Sequence, residues 1–123
     1  MSHEREGEDL MIVNRESAPH YNWGEACDGW VFAPGPGLSV IEERMPPHTA
    51  EKPHHHAKAR QFFFVLSGTL CMESAGQVHS INAGSGIEIA PMALHQARND
   101  TAQDVRFLVV SSPTTRGDRI DRV

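Results

Sequence analysis

The chain has 123 residues, 39% of them hydrophobic and 22% charged, which is enough for one domain with its own core and too few for two. Sixteen acidic against eleven basic side chains leave a formal charge of -5, which argues against a general nucleic-acid binder, because such proteins present a basic surface to the phosphate backbone. Histidine is the outlier: there are eight, and four of them (His48, His54, His55 and His56) share one proline-rich stretch.

Taken in chain order, MSHEREGEDLMIVNRES is polar and acidic, and its one apolar run is residues 10–13. It lacks the basic start and long apolar stretch of a secretory signal, so the chain reads as cytoplasmic. LMIV at 10–13 is a candidate added edge strand, or a strand exchanged with a partner subunit. Trp23 and Trp30 flank the turn at Cys27 and are expected to close one end of a barrel or pack at a dimer surface. APGPGL at 33–38 is a turn; LSVIEERM at 38–45 follows it and stops at Pro46 and Pro47. QFFFVL (61–66), TLCME (69–73), QVHSI (77–81), GIEIA (86–90) and VRFLVV (105–110) are rich in β-branched and aromatic residues and bounded by turn formers. Residues 99–104 read as a polar hairpin loop and 113–123 as a charged tail. Six or more short strands joined by turns predict a single all-β domain, a sandwich or barrel of short antiparallel strands with its core at about 20–112. QFFFVL and FLVV are apolar on both faces, which predicts packing against a second sheet or a second subunit, hence a homodimer. No run approaches the roughly 20 apolar residues of a membrane span. Cys27 and Cys71 lie in separate segments and are expected to be free thiols in a reducing compartment.

In an extended strand, residues two apart share a face, so His54 and His56 present two imidazoles together while His55 points away. If the chain bends back through 57–60, Gln61 opens the next strand facing inward, with Phe63 and Val65 on the same side. His95 follows Gly84, Gly86 and Pro91 and is placed to approach from a neighbouring strand. Three imidazoles and one oxygen donor would suit a divalent first-row metal, although three consecutive histidines also occur as a solvated surface loop.

HHHAKARQFFFVLSG resembles the first motif of the cupin superfamily, Gly, five residues, His-x-His, three or four residues, Glu, six residues, Gly. His54, His56 and Gly68 fall in register, while His48 stands at the first glycine and Gln61 at the glutamate. GSGIEIAPMALHQARN is similar to the second motif, Gly, five residues, Pro-x-Gly, two residues, His, three residues, Asn. Gly84, His95 and Asn99 match; Ala90 and Met92 replace the proline and glycine. The resemblance implies a cupin β-barrel, a double-stranded jelly roll, holding one metal through His54, His56, Gln61 and His95, and a homodimer as many such proteins are. Fe, Mn, Ni, Cu and Zn would all suit these donors.

Glutamine in place of glutamate makes the ligand set neutral. A divalent ion then keeps its full +2 toward open positions, which favours an anionic substrate and a Lewis-acid role. Small cupins that rearrange or isomerise sugar-derived and keto acids use glutamine at this place, and the resemblance carries that expectation over. Gln61 cannot serve as a base, so another group must move protons. His48 is a candidate, in the loop entering the metal strand; Glu51 follows closely, Tyr21 or Glu43 could also reach the barrel mouth, and each of the four reads more readily as a loop or surface residue. Phe63, Val65 and Met92 are expected to wall a small pocket, with Arg44 or Arg60 pairing a substrate carboxylate. His3, His20 and His79 have no partner legible in the sequence. The leading expectation is metal-dependent isomerisation, tautomerisation or elimination on a small anionic metabolite. A non-haem iron dioxygenase and a non-catalytic ligand-binding module are the alternatives.

Overall fold

The computed structural model describes residues 10–122, and all regular structure among them is strand. In chain order the strands are β1 (His20–Trp23), β2 (Cys27–Pro34), β3 (Ser39–Met45), β4 (Thr49–Ala50), β5 (His54–His56) and β6 (Arg60–Ser67). They continue with β7 (Thr69–Ser74), β8 (Gln77–Asn82), β9 (Gly86–Ile89), β10 (His95–Asn99), β11 (Val105–Ser112) and β12 (Arg119–Asp121). Two antiparallel sheets face each other. One runs β1-β2-β3-β11-β6-β9; the other runs β12-β5-β10-β7-β8, with β4 also paired to β10. Neighbours in each sheet are mostly distant in sequence, as β3-β11-β6 illustrates, which is the wrapped connectivity of a jelly roll.

Alternation decides which residues meet inside. On β6, Gln61, Phe63 and Val65 are buried while Phe62 and Leu66 are exposed; on β11, Val105, Phe107, Val109 and Ser111 are buried. With Met45, Leu70, Met72, Ile81, Ile89 and Ala97 these apolar side chains form one core. That core fills one end of the sandwich. Toward the other end the inward positions turn polar: Ser39 on β3, Gln61 on β6, Ser111 on β11, and three histidines on β5 and β10. The β6–β7 turn requires glycine, because Gly68 has φ +77° and a Cβ there would strike the Asp104 carbonyl.

The expected strand runs each fall within an observed strand, apart from Ala90, which lies just past β9. Two expectations at the termini change. Residues 10–13 join neither sheet, and Ile12 is 98% exposed; His3 lies outside the described residues. The supposed charged tail is structural: Arg119, Ile120 and Asp121 pair with His56, His55 and His54 across the β12–β5 ladder. Asp118 anchors this return by accepting backbone N–H bonds from Ala57, Lys58 and Ala59 at 2.9–3.2 Å. Ala57, Lys58 and Ala59 turn the chain from β5 into β6, so the C-terminus braces the turn that joins His56 to Gln61.

Candidate metal centre

His54 and His56 occupy alternate positions of the three-residue strand β5 and both point inward; His55 points away. His95 is the first residue of β10 and pairs directly with His54. The three rings converge, with centroids 4.5 Å (His54–His95), 4.9 Å (His54–His56) and 5.9 Å (His56–His95) apart. One nitrogen from each lies within 4.8 Å of the others. The three side chains are at most 5% exposed.

Burial of three basic rings against one another would be unfavourable if they were charged. Desolvation pushes His54 and His56 down to about 4, each helped by its neighbouring imidazole, and desolvation likewise lowers His95. All three are therefore neutral near pH 7, the form that donates a lone pair to a metal. Two of them also have a fixed tautomer. His54 Nδ1 lies 2.8 Å from the Lys52 carbonyl and His95 Nδ1 lies 2.9 Å from the Ala93 carbonyl. With Nδ1–H donated to a carbonyl, each ring keeps an unprotonated Nε2, the usual outer-sphere support of a metal-binding histidine.

Gln61 is buried on the inward face of β6 and lines the same cavity as His54 and His56. Its Nε2 donates to Ser111 Oγ at 3.2 Å across the β6–β11 ladder, which directs Oε1 the other way. Oε1 of Gln61, Nε2 of His95 and Nδ1 of His56 are the buried side-chain polar atoms without a hydrogen-bond partner among the described residues. Unpaired buried acceptors cost about 1–3 kcal/mol each. Unpaired atoms on His56, Gln61 and His95 fit a bound cation, and donors of nitrogen and neutral oxygen suit a divalent first-row metal.

His54, His56 and Gln61 open onto a cavity of about 270 Å³ that is also lined by Tyr21 and Trp23 from β1 and by Ile41 and Glu43 from β3. Phe63, Val109 and Ser111 form its floor, and Glu51, Thr115 and Arg119 complete the rim. This is below the roughly 300–1,000 Å³ of pockets for drug-sized ligands, so the space suits a small metabolite. Arg119 is the one permanent cation among the lining residues.

Several expectations about this pocket are corrected. His48 is exposed at a left-handed turn (φ +60°) between β3 and β4, its backbone N–H bonded to the Asn99 carbonyl, and it does not line the cavity. Met92 also takes a left-handed conformation (φ +71°); its N–H binds the His56 carbonyl while the side chain points to solvent, 62% exposed. Val65 points inward but lies two residues deeper along β6, in the apolar core instead of the cavity wall. Arg44 sits on the outer face of its sheet, paired with Asp28 at 2.7 Å and Asp104 at 3.1 Å. Arg60 pairs with Glu88 on the exposed surface. His20, for which the sequence offered no partner, lies 2.8 Å from Asp28. Phe63 lines the cavity. Arg119 was hidden in an apparently solvated tail, and the only signal for it was that RGDRID contains an alternating strand-length stretch.

A fold of two facing antiparallel sheets with three convergent histidines in its polar end defines a jelly-roll protein with a candidate metal site. The family model described as the Cupin domain matches residues 41–111, and the chain belongs to that family. Its fold is similar to KdgF from Halomonas sp. (TM-score 0.79, 16% identity, covering 87% of this chain and 98% of that one). It is similar to a predicted oxalate decarboxylase from Thermotoga maritima (0.77, 16% identity, 85% and 100%). A third match is a cupin-superfamily sugar phosphate isomerase from Silicibacter pomeroyi (0.74, 18% identity, 85% and 76%).

Proposed function

We propose that this cupin is a metal-dependent enzyme for isomerisation, tautomerisation or elimination on a small anionic metabolite such as a sugar-derived or keto acid. The observation that carries the reading is the neutral donor set: three uncharged imidazoles and Gln61 Oε1, with three of the buried polar atoms unpaired. A divalent ion held there would retain its charge and act as a Lewis acid on a carbonyl or carboxylate. The residues of the chain supply the rest. Arg119, which pairs with Asp121 at 2.7 Å, adds positive charge at the cavity for an anionic substrate, Phe63 and Ile41 supply apolar wall, and Ser111 keeps the Gln61 amide oriented. The isomerase and decarboxylase names among the structural matches are compatible with this class of chemistry, at identities that speak for the fold alone.

The homodimer belongs to this proposal as well. Phe62 and Leu66 are 41% and 39% exposed on the outer face of β6, beside partly covered Phe64, Leu108 and Val110. Light scattering should give about twice the 13.6 kDa chain mass, and a monomer at micromolar concentration would remove the dimer. Cys27 and Cys71 are both free and buried, in keeping with a reducing, cytoplasmic setting.

The test is elemental analysis of tag-free protein followed by a screen of keto and sugar acids under argon. Metal-dependent turnover without oxygen supports the proposal. Turnover that needs iron(II) and consumes oxygen would replace it with a dioxygenase, and affinity for an acid that survives His54→Ala with His56→Ala would replace it with a binding module.

A further inference from the structure

Glu43 lies on the inward face of β3, in line with Ser39, Ile41 and Met45. It lines the same cavity as His54 and His56. A carboxyl facing inward is costly to desolvate unless it is paired. Its one side-chain hydrogen bond comes from Tyr21 Oη, which donates to Oε2 at 3.2 Å. The approach is built into the backbone. Tyr21 on β1 pairs with Gly29 on β2, and Gly29 pairs with Glu43 on β3. The tyrosine ring crosses the sheet over Gly29, where a Cβ would fall inside the ring's own volume. Glycine at this place is thus a steric requirement for Tyr21 to reach Glu43.

We infer that Glu43, positioned by Tyr21 across Gly29, is the proton-transfer residue of the cavity. The inference rests on the proposed function and names the base that a neutral ligand set cannot supply. With a 2-oxo acid, the C3–H bond breaks, its electron pair forms the C2–C3 double bond, and the carbonyl pair moves onto oxygen. The proton passes to the Glu43 carboxylate. Its return to carbon restores the carboxylate, so no further reactant is needed. Tyr21 is a positioning residue, since it acts through the hydrogen bond to Glu43.

The surroundings of Glu43 suit this work. Desolvation raises its carboxyl to about 7, opposed by the Tyr21 hydrogen bond and the charge of Arg119. Both protonation states are then populated near neutrality. The groups facing it are Tyr21 from β1, Cys27 from β2, Glu51 after β4 and Arg119 from β12, while its β11 partner Phe107 carries no charge. Glu51, the other carboxyl on the cavity, accepts the Ala97 backbone N–H on Oε2 at 2.9 Å, a bond that ties it to β10, whereas Glu43 is held by a side chain alone.

The deciding measurement is deuterium exchange at C3 of 2-oxobutyrate in D₂O, read by proton NMR on full-length protein reconstituted with Zn²⁺, with metal content and 2-oxobutyrate affinity measured in parallel. Wild type should exchange. Glu43→Gln should be slowed about 100-fold, within the range for loss of a general base, with metal content and affinity within about twofold of wild type. Tyr21→Phe should be slowed less and should shift the pH at which the rate is half-maximal, an effect that lost packing alone does not produce. Unchanged exchange in Glu43→Gln overturns the inference, as does a wild type that shows none. Exchange that persists without metal but disappears in Glu43→Gln would keep Glu43 and remove the Lewis-acid reading instead.

Discussion

An amide and a carboxylate have almost the same shape, so Gln61→Glu isolates charge from geometry at the candidate metal centre. The added negative charge should hold a divalent ion at least as firmly while weakening its pull on an anionic substrate. We expect metal content unchanged by elemental analysis and turnover reduced about tenfold or more, equivalent to roughly 1.4 kcal/mol. Equal kinetics would sink the electrostatic argument. Replacing His54 and His56 together by alanine removes two of the proposed donors and should abolish stoichiometric metal, read by elemental analysis. Residues of this kind were legible in the sequence because their spacing is local: His54 and His56 are two apart on one strand, and Gln61 follows after one turn. Glu43 was harder to rank. Its carboxylate looks like any solvated acid in SVIEERM, and only the crossing of Tyr21 over Gly29 reveals that it is held inside.

At the level of elements, β12 is the piece whose importance the sequence concealed. It completes the sheet beside the histidine strand, places Arg119 at the cavity rim, and is tied down by the three amide bonds to Asp118. Asp118→Ala should speed hydrogen exchange at the amides of 57–59 and lower metal affinity, because the turn between His56 and Gln61 loses its brace. Native exchange rates at those amides would show that the brace is dispensable. The effect also has a pH sign. Against desolvation, which pushes its carboxyl up, the bonds from Ala59, Lys58 and Ala57 hold Asp118 below the usual range. Its contribution is present above the ordinary carboxylate pKa and is lost as pH falls through the depressed folded value. A second element-level prediction concerns the β1–β2–β3 row. Gly29→Ala overpacks the Tyr21 ring and should cost about 1–3 kcal/mol in denaturant unfolding, and it should slow catalysis with metal content unchanged.

For the whole molecule, a sandwich that puts its apolar core at one end and its polar cavity at the other carries the cost of burying titratable groups for function. Glu43 has its folded pKa raised from 4.5 to about 7 by desolvation. Between those values the folded protein binds more protons than the unfolded chain, so this group's contribution is full below about pH 4.5 and is lost as pH rises through 7. The buried histidines shift the opposite way, so the test is the difference between wild type and Glu43→Gln across pH 4.5–8 in denaturant melts. The variant should gain stability relative to wild type as pH rises, and a flat difference would show that Glu43 is not desolvated in solution.

The amino-acid sequence by itself determined the all-β class, the strand runs and the histidine and glutamine positions. Each of these follows from short-range rules: period-two alternation, turn formers at fixed places, and motif spacing along one stretch of chain. What only the tertiary structure decided is which other side chains share the cavity. His48, Met92 and Arg44 sit close to the motifs in sequence, yet left-handed turns or the outer face of a sheet carry them away from it. Tyr21, Glu43 and Arg119 come from three strands far apart in the chain, and long-range pairing in the two sheets brings them to one cavity. Inward or outward orientation depends on strand register, and register in a wrapped sandwich is set by partners dozens of residues away.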